Sequence, residues 1–187
     1  PLIAKVMPVA KEPHPPPADK RQRSQVNGKR YARELVAWHD RGGTICEEYR
    51  TLRTTLLANT GQRGFCYMVT SAQSGEGKSV TIMNLALVLA ERSDQNTLVI
   101  DADLRKPRLA SLVGQKHVPG LGEYLRGQAS VKEIIRETAC PNLSLIAAGG
   151  AGAREVPELL GRPELGKLIA DLRRMYDYVL VDTPPIN

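Results

Sequence analysis

The sequence predicts an α/β fold of three layers, with a mostly parallel sheet between two sets of helices. Two observations carry that prediction. Strand-like and helix-like segments alternate from Thr44 to the end of the chain, the order that successive strand–helix–strand units produce. The strand-like segments are also unbroken apolar runs, such as Leu98-Val99-Ile100 and Val179-Leu180-Val181. Strands of that kind, lacking polar alternation, belong to parallel sheets covered on both faces.

Taken in order, the first 27 residues hold six of the 13 prolines, including Pro15-Pro16-Pro17. Such composition favours an extended chain of polyproline character. Residues 1–43 are therefore expected to be a Pro-rich basic linker, and residues 44–187 the folded domain. Residues 1–63 carry twelve Lys/Arg against six Asp/Glu, which is the whole of the formal +6 charge. A basic segment beside a neutral domain suits either an anionic membrane surface or a solvated linker. It argues against nucleic acid as a partner, because the basic residues of such a domain would sit on its folded part.

From Thr44, the residues Ile45, Tyr49, Leu52 and Leu56 recur at helical spacing. They predict a helix over Thr44–Asn59, with Thr44 as N-cap and Glu47 completing a capping box. Phe65–Thr70 reads as a buried strand. Ser79–Arg92 reads as a helix with Ile82, Leu85, Ala86 and Leu89 on one face, and Thr97–Ala102 as a second strand. Short helices are expected over Pro107–Val113, Pro119–Arg126 and Val131–Thr138, then a strand at Leu143–Ala147. A helix over Pro163–Tyr176, with proline at its first position, leads into a last strand at Asp177–Asp182. Cys46, Cys66 and Cys140 are odd in number and lack metal-like spacing, which fits reduced thiols of the cytoplasm. No apolar run approaches a membrane span, and no signal peptide is evident.

The chemistry lies in the run Ser71-Ala72-Gln73-Ser74-Gly75-Glu76-Gly77-Lys78-Ser79, between the first strand and a helix. It follows the phosphate-loop pattern Gly-x-x-x-x-Gly-Lys-Ser/Thr, with Ala72 in place of the first glycine. Gly75 and Gly77 can take the positive φ angles that turn successive N–H groups toward one point. The helix that follows adds its dipole. Ser74, Gly75, Glu76, Gly77, Lys78, Ser79 and Val80 are therefore candidates to bind the phosphates of ATP. Lys78 would reach the β- and γ-phosphates, and Ser79 would bind Mg²⁺. Asp101 and Asp182 each end an apolar strand, and strand ends of a parallel sheet gather at one edge. Either they join Ser79 around the metal or they are helix caps and turn residues. Asp103, two residues beyond Asp101, is a candidate to orient or deprotonate a hydroxyl nucleophile. Arg105 either neutralises phosphate charge or belongs to a solvated basic turn, Arg105-Lys106-Pro107-Arg108.

Together these segments closely resemble the bacterial tyrosine kinases (BY-kinases), the cytoplasmic domains of capsule and exopolysaccharide synthesis systems. Thr70–Ser79 is similar to the family's Walker A. Leu98–Arg105 resembles its additional A′ motif, an apolar run followed by Asp-x-Asp-x-Arg, and Val179–Pro185 its Walker B. Glu47-Glu48-Tyr49-Arg50-Thr51-Leu52-Arg53 is similar to its Glu-x-x-Arg-x-x-Arg helix. Gly120–Leu125 and Pro157–Leu160 also match. The opening Pro1–Pro8 looks like the segment that follows the second membrane span in fused members.

The resemblance implies a P-loop NTPase-like fold and an ATP- and Mg²⁺-dependent protein-tyrosine autokinase that regulates capsular or exopolysaccharide synthesis and export. It implies Lys78, Asp101 and Asp103 as catalytic residues, with Ser79, Asp101 and Asp182 around Mg²⁺. Glu47, Arg50 and Arg53 would lie between subunits of a ring-like homo-oligomer. A transmembrane polysaccharide co-polymerase or adaptor, fused or separate, and a phosphatase are the implied partners, at the cytoplasmic face of the inner membrane. The alternative is a partitioning or cell-division ATPase switch that controls assembly without tyrosine phosphorylation. Gln73 argues against it, because that branch carries a lysine early in the loop. The family's C-terminal tyrosine cluster is not found: Tyr176 and Tyr178 come last, and Tyr178 is expected in the core. The chain stops five residues after Asp182, so the fold is expected to be incomplete at its C-terminus.

Overall fold

The computed structural model of the chain describes residues 31–60 and 65–186. The expected polyproline character of the first 27 residues, and the likeness of Pro1–Pro8 to a post-membrane segment, lie outside them. The elements run α1 (Val36–His39), α2 (Thr44–Thr60), β1 (Phe65–Val69), α3 (Lys78–Leu89), β2 (Thr97–Asp101), α4 (Leu109–Leu112), α5 (Leu121–Leu125), α6 (Val131–Ile134), β3 (Ile135–Glu137), β4 (Leu143–Ile146), α7 (Val156–Leu160), α8 (Pro163–Met175) and β5 (Tyr178–Asp182). Among the described residues the strands form one sheet in the order β1-β5-β2-β4-β3, parallel except for β3.

The unbroken apolar strands are explained by two cores, one on each face. Successive side chains of a strand point to opposite faces. Val99, Tyr178 and Leu180 join one core, with buried residues of α1, α3 and α4. Leu98, Ile100, Val179 and Val181 join the other, with Leu121, Leu125, Ile134, Leu159, Leu168 and Leu172. Tyr178 is fully buried, as expected of a core strand. The three cysteines are free and buried. No helix among the described residues is long and apolar enough to cross a membrane.

Three local expectations are corrected. The helix expected over Val131–Thr138 ends after one turn, and Ile135–Glu137 pairs antiparallel with β4, Ile135 opposite Ile146. A segment as short as Val131–Thr138, with Val131, Ile134 and Ile135 its apolar residues, has too little periodicity to separate helix from strand, and the open edge of β4 decides it. The Arg136 guanidinium donates to the carbonyls of Lys116 and Pro119. Thr44 is the first helical residue, not the cap. The Gly43 carbonyl accepts from the Cys46 and Glu47 amides, and the Glu47 carboxylate pairs with Arg50. Residues 157–160, to which no structure was assigned, lie in α7.

The packed body also extends upstream of residue 44. Tyr31 and Leu35 are buried in the first core. The Tyr31 ring lies 4.3 Å from that of Trp38, and the Tyr31 hydroxyl accepts from the Cys140 amide at 3.2 Å. Asn84, in α3, ties this segment down. Its Oδ1 accepts from Ala37 N at 2.9 Å, and its Nδ2 donates to Glu34 O and Val80 O, both at 3.0 Å. Pro-rich composition ends well before Tyr31, so the Tyr31, Leu35 and Trp38 spacing was the available signal.

Gly120 shows how the chain closes over the carboxyl end of β4. A Cβ there would lie 2.4 Å from Ala147 O and Gly149 N, so only glycine lets the chain approach β4. Leu121 N and Gly122 N then donate to Ala147 O and Ala148 O, both at 2.8 Å. The Glu123 carboxylate accepts from Gly120 N at 2.7 Å and Gly150 N at 3.0 Å.

Asn84 is 1% exposed, so Asn84→Ala removes the side-chain partner of the Ala37 amide and the Glu34 carbonyl. The expected loss is about 1–3 kcal/mol, read as a lowered urea midpoint at unchanged slope.

Candidate functional site: phosphate loop and edge carboxylates

Parallel pairing sets the site. Asp182 ends β5, which lies between β1 and β2, opposite Val69 on one side and Asp101 on the other. The phosphate loop leaves β1 after Val69 and enters α3 at Lys78, so loop and carboxylates share the carboxyl edge of the sheet. Gly75 has φ +92° and Gly77 φ +82°, while a Cβ at either would meet nothing within 4 Å. Backbone conformation, not lack of space, requires glycine at both. Glu76 holds the loop's first half: its carboxylate accepts from Ala72 N at 3.0 Å and Gln73 N at 3.2 Å.

Asp182 is fully buried. Its Oδ1 accepts from Lys78 Nζ at 2.8 Å and its Oδ2 from Ser79 Oγ at 2.6 Å. Burial raises its pKa, against the hydrogen bonds from Lys78 and Ser79, which lower it. Asp103 is 6% exposed, and its Oδ2 lies 3.7 Å from Lys78 Nζ. Its Oδ1 accepts from Lys106 N at 3.0 Å. Lys78, Ser79, Asp103 and Asp182 are thus brought together.

Asp101 lies beside them in the sheet but commits its oxygens elsewhere. Oδ1 accepts from Asp103 N at 3.2 Å, and Oδ2 from Arg108 N at 3.1 Å and Leu109 N at 3.0 Å. It caps the start of α4 and closes the loop after β2, one of the two alternatives open from sequence. Burial and the neighbouring Asp182 push its pKa up to about 7, against its two amide bonds to Leu109 and Arg108. Among the described residues no three His, Cys, Asp or Glu side chains are arranged to hold a metal. The Ser79 hydroxyl and the Asp182 carboxylate are oxygen donors in this cluster, and the Asp103 carboxylate lies beside them.

Ser74 and Arg105 are exposed and Val80 is half-buried. Lys106 Nζ donates to Ser74 Oγ at 3.3 Å, a contact across the edge that the sequence did not single out. The side-chain role of Glu76 was also missed; only its place in the loop had marked it. Glu47, Arg50 and Arg53 are not in this cluster. Arg50 forks onto Glu91, with Nη2–Oε1 2.6 Å and Nε–Oε2 3.1 Å. Arg53 Nη1 donates to Val88 O at 2.7 Å and Glu91 Oε2 at 3.2 Å. Glu91 lies just beyond the C-terminus of the 12-residue α3, so this clamp sits about 20 Å from the loop at 1.5 Å per residue.

Residues 67–187 match the AAA domain family. The chain is 33% identical over 160 residues to the tyrosine-protein kinase YwqD of Bacillus subtilis, covering 85% of this chain and 67% of that protein. The chain belongs to the bacterial tyrosine-kinase family. The tyrosine-protein kinase ptk of Acinetobacter johnsonii is 33% identical over 168 residues, which is 88% of this chain but 23% of that longer relative. Among solved structures, the kinase domain of the Escherichia coli tyrosine kinase ETK is 30% identical with a TM-score of 0.75, covering 90% of this chain and 67% of that one. The septum site-determining protein MinD of Pyrococcus horikoshii is more distant, at TM-score 0.54 and 28% identity over 63% of this chain and 47% of that one. These likenesses agree with the P-loop NTPase-like α/β fold, and place the chain with the tyrosine kinases rather than the cell-division branch.

The ordinary pKa of Asp101 is 3.8, against about 7 when folded. Between those values the folded state binds the extra proton, so stability falls as pH rises from about 4 to about 7. The penalty is then constant above that window. Urea midpoints measured from pH 4 to pH 8 should decline more steeply for wild type than for Asp101→Asn.

Proposed function

We propose that this chain is the nucleotide-binding and catalytic part of an ATP- and Mg²⁺-dependent protein-tyrosine autokinase. It would act in bacterial capsular or exopolysaccharide synthesis and export. The observation that carries the reading is the convergence of Lys78, Ser79, Asp103 and Asp182 at one sheet edge, in a chain of the tyrosine-kinase family.

The residues present fit a nucleoside triphosphate with its metal. The loop amides from Ser74 to Val80 would cradle phosphate oxygens at the N-terminus of α3. Lys78 would neutralise the β- and γ-phosphates, and Arg105 would face solvent-side phosphate charge. Mg²⁺ takes few protein ligands and keeps waters and phosphate oxygens; Ser79 and Asp182 are suited to that. Bound there, the ion would supply charge neutralisation at the transferring phosphoryl group.

Phosphoryl transfer needs mainly positioning and charge stabilisation. Asp103, facing Lys78, is our candidate to orient the tyrosine hydroxyl and accept its proton. Asp101 was a candidate for the same role and for the metal. Its three amide bonds favour a supporting one, holding the loop that carries Asp103.

We further propose that the chain works as a homo-oligomer at the cytoplasmic face of the membrane, with a transmembrane co-polymerase partner, fused or separate, and a phosphatase. Glu47, Arg50 and Arg53 would contribute the subunit contact.

Full-length protein incubated with Mg-ATP should accumulate phosphotyrosine, detected by mass spectrometry. Lys78→Met should reduce it to background, and Asp103→Asn should slow it roughly 10²–10⁴-fold, the usual range for a lost acid–base group. Nucleotide turnover by wild type without phosphotyrosine would refute the kinase reading. For the interface, Arg50→Ala with Arg53→Ala should lower the oligomer mass in sedimentation velocity. An unchanged mass would count against the subunit contact.

A further inference from the structure

We infer that Lys106 is a phosphate-binding residue, delivered to the terminal phosphates of the nucleotide by the loop that follows β2. The inference rests on the nucleotide site proposed above and adds a further cationic side chain to Lys78 and Arg105.

The loop is built to hold that lysine in one place. It leaves Asp101 and returns to it, because Asp103 N, Arg108 N and Leu109 N all donate to the one buried Asp101 carboxylate. Both ends of the excursion are therefore fixed to the end of β2. Within it, Asp103 Oδ1 accepts from Lys106 N at 3.0 Å, which fixes the lysine backbone. The other oxygen of Asp103 lies 3.7 Å from Lys78 Nζ. The Lys106 backbone thus hangs from the carboxylate that faces the lysine of the phosphate loop. Its side chain crosses to that loop, with Nζ 3.3 Å from Ser74 Oγ.

Charge explains why a further cation belongs there. Lys78 is already paired with Asp182 and lies near Asp103, and Glu76 adds a carboxylate within the loop. A triphosphate brings further negative charge, so even with the metal and Arg105 the site favours another cation beside Lys78. Lys106 is exposed, and among the described residues its ammonium meets one partner, the neutral Ser74 hydroxyl. A solvated ammonium–hydroxyl contact is readily exchanged for a charge-assisted bond to a phosphate oxygen. Lys78 reaches the β- and γ-phosphates, and the Lys106 ammonium lies against Ser74 of the same loop. The Lys106 backbone is held by the Asp103 that faces Lys78, which directs the ammonium to the phosphates rather than the nucleoside.

The test is equilibrium binding of fluorescent ATP and ADP analogues to the full-length protein in Mg²⁺ buffer. Lys106→Gln should weaken ATP binding about tenfold or more, as expected for one lost charged hydrogen bond, and ADP binding less. Lys106→Arg should retain ATP affinity. Thermal melts matching wild type would exclude misfolding, since the side chain is exposed. Unchanged ATP affinity in Lys106→Gln overturns the inference, as does an equal loss for ATP and ADP. Lys78→Met in the same assay separates the two readings. If it loses nucleotide while Lys106→Gln does not, the site stands and only the role of Lys106 falls.

Discussion

The Asp182 carboxylate is the constraint on which the site depends. It is fully buried at the end of a strand flanked on both sides by parallel neighbours, so it cannot relax toward solvent. A buried charge must be paired and hydrogen-bonded or it is expelled. Lys78 and Ser79 meet that need, one on each oxygen. The same two contacts fix the first turn of α3 and hence the height of the phosphate loop above the sheet. Replacing either donor would leave part of a buried carboxylate uncompensated, so loop position and core electrostatics are coupled.

Asp101 solves a neighbouring problem in a different way. It stands beside Asp182 in register, and two adjacent buried carboxylates repel. Backbone amides from its own downstream loop take up both of its oxygens, while burial first and the Asp182 charge second keep its pKa raised. Those amide bonds hold the loop that carries Asp103 and Lys106. A single acidic side chain thereby organises a segment that has little regular structure of its own.

Legibility in the sequence followed the strength of the local physics. The parallel sheet was readable because buried strands must be apolar on both faces, and the loop because Gly75 and Gly77 sit where φ is positive. The edge position of Asp101 and Asp182 followed from where their strands end. What Asp101 binds was not readable: its partners, Arg108 and Leu109, are backbone amides, which carry no residue signature. The turn of Ile135–Glu137 into a strand was hidden for a related reason, since the free edge of β4 is a property of the sheet and not of that segment. Residues 31–43 were assigned to a linker because the Pro-rich, basic stretch before them dominated the composition. Asn84, a polar residue inside an apolar helix face, was the sign that something packs there.

The two ionic clusters at opposite ends of α3 differ in kind, and the difference bears on what each can do. Lys78 and Asp182 are buried, at 8% and 0% side-chain exposure, so their pairing can be displaced only by groups that restore the charge balance, such as a metal ion with phosphate. Arg50 and Glu91 are about a quarter exposed, at 24% and 26%. Ion pairs in contact with solvent contribute about 1 kcal/mol or less, even though the fork geometry here is better than average. A carboxylate from another surface could therefore replace Glu91 at small cost. That exchangeability is what a subunit contact through Arg50 and Arg53 requires, because an arginine locked in a buried pair could not be offered to a neighbour.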